Sequence, residues 1–220
     1  VCANSYESAI NAELGGANRI ELCKDLHLDG LTPDDEVAVS TINKLKIPVF
    51  ILIRPRAGNF VYTNEEFELM KADIVKFKEM GCKGIVSGVL NNDNTIDLER
   101  TKELMQLSRP LEFTFHRAFD KIVDPIKGLE ELIEIGVDRI LTSGQEDSAI
   151  KGIGLIDKII KIAANRIAIM PGSGVKSVNI KDFIAIGANE IHGSFSNNML
   201  LTDKEKVKKI KKYFDKKIKI

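Results

Sequence analysis

The sequence predicts a compact (β/α)8 TIM barrel, and three observations predict it. One local pattern recurs four times: Gly15-Gly16-Ala17-Asn18-Arg19-Ile20-Glu21-Leu22, Gly81-Cys82-Lys83-Gly84-Ile85-Val86, Gly136-Val137-Asp138-Arg139-Ile140-Leu141 and Gly187-Ala188-Asn189-Glu190-Ile191-His192. Each copy has a helix-ending glycine, a small or apolar residue, a polar turn and a short strand. Between the copies, strands alternate with helices in units close to the minimum size, which points to a parallel sheet. Eight such units fit into 220 residues, near the lower end of the usual range for this barrel. A doubly wound open sheet is the alternative, and the repeat count favours closure.

The elements follow in order. A first strand ends near residues 1–3, and Asn4 with Glu7 is expected to cap a helix to Leu14. Because Val1 stands in what reads as the end of a strand, that strand is expected to be truncated at its N-terminus. Arg19–Cys23 is the second strand, followed by a helix from about Pro33 to Leu45. Pro48–Ile53 is a continuous apolar run, as expected of a strand buried on both faces. A loop, Arg54–Phe60, leads to the capping box Thr63-x-x-Glu66 and a helix to Met80. Gly84–Ser87 is the fourth strand, with a helix over 97–108. Alternation from Glu112 to His116 marks the fifth strand. Asp124-Pro125 then opens a helix as N-cap and first-turn proline, running to Ile135. Arg139–Thr142, Ile167–Met170 and Glu190–His192 are strands six to eight. Their helices span about 148–164, 179–186 and 203–217. The last one carries Val207, Ile210, Phe214 and Ile218 on a single stripe, with its lysines outside.

Composition narrows the function. The 44% hydrophobic content supports a full core, and one domain over 1–220 is expected. Lys+Arg and Asp+Glu are both 32, so no global charge argues for nucleic acid or a membrane surface. Residues 203–220 hold nine Lys against three acids, a local +6 that leaves −6 on residues 1–202. Three cysteines, Cys2, Cys23 and Cys82, have no zinc-type spacing and read as reduced thiols in a cytoplasmic protein. The residues show no signal-peptide pattern and no apolar run long enough to span a bilayer, so neither is expected. Self-association is left open.

Chemistry-bearing residues collect at the carboxyl ends of the expected strands, where (β/α)8 barrels place their sites. Thr114-Phe115-His116-Arg117-Ala118-Phe119-Asp120 brings an imidazole, a cation and a carboxylate to the end of one strand. Glu21 lies two residues inside Cys23, on the same inward face. His116, Glu21, Arg117 and Asp120 are the candidate catalytic residues; otherwise they are a satisfied histidine beside ion pairs. Arg54 and Arg56 read as anion binders, because the guanidinium fork matches carboxylate or phosphate. The competing reading pairs them with Glu21 and Asp120. Gly172, Ser173 and Gly174 after strand seven, with Ser194 after strand eight, form a second candidate anion site. This loop lacks both the third glycine of a dinucleotide fingerprint and the Gly-Lys-Ser/Thr ending of a P-loop. Ser143 and His192 share the same mouth. Cys2 and Cys23 end adjacent strands, about 4.7–4.9 Å apart laterally if paired. They are candidate ligands for a soft ion such as Cu(I), or else two small buried hydrophobes. Cys82 lies at the opposite rim and reads as structural.

Five stretches together resemble the CutC copper homeostasis family: residues 15–23, Gly30-Leu31-Thr32-Pro33, Ile53-Arg54-Pro55-Arg56, Thr114–Asp120 and Leu141-Thr142-Ser143-Gly144. The likeness runs to about Ser194. It implies a TIM barrel, a cytoplasmic location and a copper-handling role, with Cu(I) as the bound ion and Cys2 and Cys23 at the family's suspected metal positions. Asn4 and Asn59 stand where aspartates are expected, and Pro171-Gly172-Ser173 replaces a more uniform Gly/Ala stretch. Two functions therefore stay open. The resemblance implies a Cu(I)-binding protein. The residues of the mouth suggest an enzyme for a small phosphorylated or carboxylated metabolite.

Overall fold

The computed structural model describes residues 1–196 and 201–217. Seven strands lie side by side in chain order: β1 (Cys2–Ala3), β2 (Ile20–Leu22), β3 (Val49–Leu52), β4 (Gly84–Ser87), β5 (Glu112–Phe115), β6 (Arg139–Thr142) and β7 (Ala168–Pro171). Every neighbouring pair is parallel. The helices are α1 (Tyr6–Leu14), α2 (Asp35–Lys44), α3 (Asn64–Glu79), α4 (Leu98–Ser108), α5 (Pro125–Ile135), α6 (Ile153–Ala163), α7 (Ile180–Ala185) and α8 (Lys204–Lys217). Consecutive parallel strands joined by helices make the curled sheet of a (β/α)8 barrel.

The fourfold repeat is a repeated helix stop. Gly16, Gly81, Gly136 and Gly187 have φ of 88°, 92°, 85° and 89°. The amide after each reaches back five residues: Ala17 to Ala12 O, Cys82 to Phe77 O, Val137 to Leu132 O, and Ala188 to Phe183 O. These are four Schellman caps, each followed by an apolar residue that covers the helix end. Cys82 is one of these covering residues and is 1% exposed. Its reading as structural fits that place.

Three expectations are corrected. The eighth strand is absent as a ladder among the described residues. His192 N donates to Pro171 O at 2.8 Å, and Cys2 N donates to Gly193 O at 3.1 Å. The segment therefore bridges β7 and β1 with one bond on each side, too few for a strand. Helix α1 is capped by Ser5, whose side chain accepts from Ser8 N, not by Asn4, whose Oδ1 accepts the Ser8 hydroxyl. Helix α6 starts at Ile153 rather than near Ser148, because residues 148–152 are used to tie loops: Ala149 N donates to Ser173 O. The capping box at Thr63 and Glu66 and the Asp124-Pro125 start match expectation. Val207 and Ile210 of the last helix are buried, while Ile218 lies outside the described residues.

Apolar side chains form two separate sets, as strand alternation requires. The larger set includes Ile20, Leu22, Ile51, Ile85, Phe113 and Ile140 and packs with the helices. The smaller set is Cys23, Phe50, Leu52 and Val86, with Cys2 and Leu26 against it. The second set lines the inside of the barrel, and it is small because much of the interior is polar.

Candidate functional site

The inside is built from the third residue after each Schellman glycine: Arg19, Gly84, Arg139 and Glu190. All four belong to even-numbered units, the arrangement of one barrel layer. Arg19 and Arg139 sit over the Phe50 ring at 4.9 and 5.7 Å from its centroid. A Cβ on Gly84 would lie 2.5 Å from that ring, so glycine makes the room. Arg139 binds Glu190 at 2.5 Å and Glu112 at 3.0 Å, and Arg19 binds Glu190 at 2.7 Å. A cavity of about 710 Å³ opens at this amino-terminal end, lined by Lys46, Phe50 and the same charged groups. Sequence reasoning missed this network, although the repeat itself marked its positions.

Two residues further along the same strands lies the central pair. Glu21 is 5% exposed, and its Oε2 is 3.1 Å from His192 Nδ1. The contact is an ion pair, off-axis for a hydrogen bond. Burial opposes both charges, but the pairing prevails: Glu21 falls to about 2 against desolvation, and His192 rises to about 9 against desolvation. Glu21 also faces Arg19 at 3.8 Å.

The thiols adjoin this pair. Cys2 Sγ and Cys23 Sγ are 3.5 Å apart. Cys2 is half-buried and Cys23 is 1% exposed. The Cys23 contact and then the His192 imidazole favour the Cys2 thiolate, whose pKa is lowered despite burial. Cys23 shifts upward through the contact with Cys2 and through desolvation. The contact with Cys23 and the neighbouring imidazole thus make Cys2 the more acidic of the two thiols. Among the described residues, no group of three or more His, Cys, Asp or Glu side chains is arranged to hold a metal.

His116 and Arg54 make a separate cluster under the β3 loop. His116 ends β5 and accepts the Ala118 amide on Nδ1 at 3.2 Å, which leaves the proton of the neutral ring on Nε2. Nε2 has no partner among the described residues. Burial first, then the Arg54 charge, lowers its pKa to about 3, so the ring is neutral. Arg54 is 4% exposed. It donates to the Leu28, Gly30 and Gly58 carbonyls, and neither Glu21 nor Asp120 is its partner. The Phe60 ring covers both residues, at 4.8 Å from the His116 ring and 5.1 Å from the Arg54 guanidinium.

The remaining candidates hold loops. Arg56 is bound to Glu66 at 2.5 Å and to the Val61 and Asn59 carbonyls. Asp120 accepts from the Thr142 hydroxyl, the Ser143 amide and hydroxyl, the Gln145 amide and Arg117 Nε. Arg117 also reaches Ser143 Oγ at 3.0 Å. Ser173, at φ 74°, donates its hydroxyl to Asp147 O. Gly172 is glycine because a Cβ there would lie 2.5 Å from Leu141 Cδ1 and 3.2 Å from His192 Cβ. Gly174 also has positive φ, 73°. Ser194 Oγ lies 3.4 Å from Ser196 Oγ.

Comparison with known proteins agrees with this architecture. The CutC family model matches residues 1–197. A copper homeostasis protein cutC homolog of Homo sapiens is 47% identical over 195 residues, covering 88% of this chain and 71% of that protein. A CutC family protein of Parabacteroides distasonis is 46% identical over 196 residues, covering 88% and 81%. A solved structure from Streptococcus agalactiae that carries the CutC copper homeostasis name superposes with a TM-score of 0.83 at 33% identity, covering 88% of this chain and 96% of that one. An aldolase superposes at 0.66 with 15% identity, covering 98% and 90%, a likeness of fold alone. No described helix is long and apolar enough to cross a membrane. With a matching family model over residues 1–197 and a relative at 47% identity, the chain belongs to the CutC family.

Proposed function

We propose that this chain acts in copper homeostasis by binding Cu(I), as cargo, between Cys2 and Cys23 in the cytoplasm. The observation that carries this reading is the 3.5 Å separation of the two sulfurs, beside a His192 imidazole that favours the Cys2 thiolate. Soft thiolate ligands select Cu(I) over harder ions. With metal–sulfur bonds of about 2.3 Å, the value for zinc thiolates, that separation corresponds to an S–metal–S angle of about 100°. Binding therefore calls for a third ligand from the donor of the ion, or for a small side-chain rotation that opens the angle. Either route suits a carrier that passes its ion on. The reading requires both thiols to be reduced, as they would be in the cytoplasm. The test is the ultraviolet sulfur-to-Cu(I) charge-transfer absorption on anaerobic addition of Cu(I). The band is expected in the natural protein and in Cys82→Ser, and lost in Cys2→Ser and in Cys23→Ser. A band that survives both would overturn the reading.

A second reading keeps the mouth as a site for a small phosphorylated or carboxylated metabolite. It is favoured by the buried Arg54 charge, whose protein partners are carbonyls, and by three buried groups without partners among the described residues: Arg54 Nε, Tyr62 Oη and His116 Nε2. A buried cation without a counter-ion is costly, so an anion there would be held strongly. Thermal protection by phosphate or a carboxylate metabolite, reduced in His116→Gln, supports this reading. No protection across a broad panel of such anions refutes it.

A further inference from the structure

We propose that Cys2 and Cys23 are a reactive dithiol that reduces a small hydroperoxide and closes to a disulfide. The geometry carries it, independently of copper binding. The sulfurs are in contact at 3.5 Å, and a disulfide needs about 2.05 Å, so closure is a movement of about 1.5 Å. The two residues stand on adjacent paired strands as a diagonal pair, Cys2 opposite Glu21 and Cys23 two residues further on, so their Cα atoms are roughly 8 Å apart by strand spacing and rise, and closure also draws the two-residue β1 about 1 Å toward Cys23 to enter the range that disulfides span. Gly30 faces Cys23: a Cβ added there would lie 3.4 Å from both Cβ and Sγ of Cys23 and 2.9 Å from Leu52. The missing side chain leaves Cys23 room to turn toward its partner.

The two cysteines differ in access, which divides the roles. Cys2 is half-buried and meets the oxidant first; Cys23 is enclosed and resolves. The partial burial of Cys2 admits a peroxide of a few atoms and excludes a folded protein's disulfide. In the first step Cys2 sulfur takes the distal peroxide oxygen, the O–O bond breaks, and ROH leaves with the thiol proton. Cys2 is then a sulfenic acid. In the second step Cys23 sulfur attacks Cys2 sulfur, the S–O bond breaks, and water leaves with the Cys23 proton. Two thiols have lost two hydrogens, and the peroxide is reduced to ROH and water. Cys82, buried in its helix cap on another element, is the internal control.

The test treats the reduced, metal-free full chain with one equivalent of hydrogen peroxide in the presence of a chelator. Intact mass is expected to show loss of two hydrogens, with a Cys2–Cys23 linked peptide and Cys82 still open to alkylation after unfolding. Cys23→Ser is expected to stop at a sulfenic acid trapped by a 1,3-dione, and Cys82→Ser to form the disulfide unchanged. Thiols that stay reduced, or that oxidise no faster than Cys82, overturn the proposal, as does passage to sulfinic acid without a disulfide. The natural protein alone decides, so a variant that misfolds does not block the test. A disulfide formed by a protein that fails to bind Cu(I) refutes the copper reading alone, and Cu(I) binding without peroxide reactivity refutes this proposal alone.

Discussion

Replacing Glu21 by Gln should remove a stabilisation that depends on pH in a defined way. His192 moves from an ordinary 6.5 to about 9 beside Glu21, and Glu21 moves from 4.5 to about 2. These are two views of one interaction and are counted once. A raised histidine stabilises fully below its unfolded pKa and loses that contribution as pH rises through its folded pKa. A shift of about 2.5 units at about 1.4 kcal/mol each gives up to about 3 kcal/mol at pH 6, about 1.5 kcal/mol at pH 8 and almost nothing at pH 10. From the other end, the depressed Glu21 loses its contribution as pH falls from 4.5 through 2. Cys2 also titrates against this pair and contributes to the rise of His192, so both proteins carry Cys2→Ser and the figures above are ceilings for the gap between them. Urea unfolding of the two at pH 6, 8 and 10 measures the gap between them. The expected gap narrows steadily with rising pH. A gap that stays constant, or widens, refutes the assignment of His192 as a buried cation held by Glu21.

Other outcomes follow from local geometry. A Cβ on Gly152 would lie 2.0 Å from Ser143 O, against backbone that has no rotamer to yield. Gly152→Ala should therefore destabilise by about 3 kcal/mol or more, whereas Gly154→Ala, with nothing within 4 Å, should stabilise α6 by about 0.5–1 kcal/mol; thermal unfolding of both variants checks the contrast. In a proton NMR titration the His116 ring signals should stay constant from pH 5 to 8, and those of His192 should move near pH 9. A His116 that titrates near 6.5 contradicts its burial beside the Arg54 cation.

The fold was legible because its punctuation is local. A glycine with φ near 90° and an apolar residue behind it is a sequence-level object, so four Schellman caps could be read from the residues around Gly16, Gly81, Gly136 and Gly187. The eighth strand was not, because Glu190–His192 has strand composition but gains one hydrogen bond on each side. The start of α6 was obscured by a loop whose shape depends on contact between Gly144 and Gly152, eight residues apart. For the site, inward alternation from Arg19 through Glu21 to Cys23 was enough to put carboxylate and thiol on one face. The fate of the arginines was not readable. Arg54 and Arg56 carry the same fork, and only the folded loop shows that the first spends it on carbonyls and the second on Glu66. Asp120 looked like a reactive carboxylate from sequence, yet five donors from three residues of the β6 loop and from Arg117 fill its oxygens. His192, placed at the mouth by its strand, gained its weight only from the Glu21 contact.

The copper account is tested most directly by anaerobic Cu(I) titration against a competing chelator, under reducing conditions, for the natural protein and its Cys2→Ser/Cys23→Ser double variant. The account predicts one tightly held Cu(I) per chain, absent from the double variant. Binding that is weak, or that is indifferent to the two cysteines, would contradict it and turn attention to the buried Arg54 and His116 cluster.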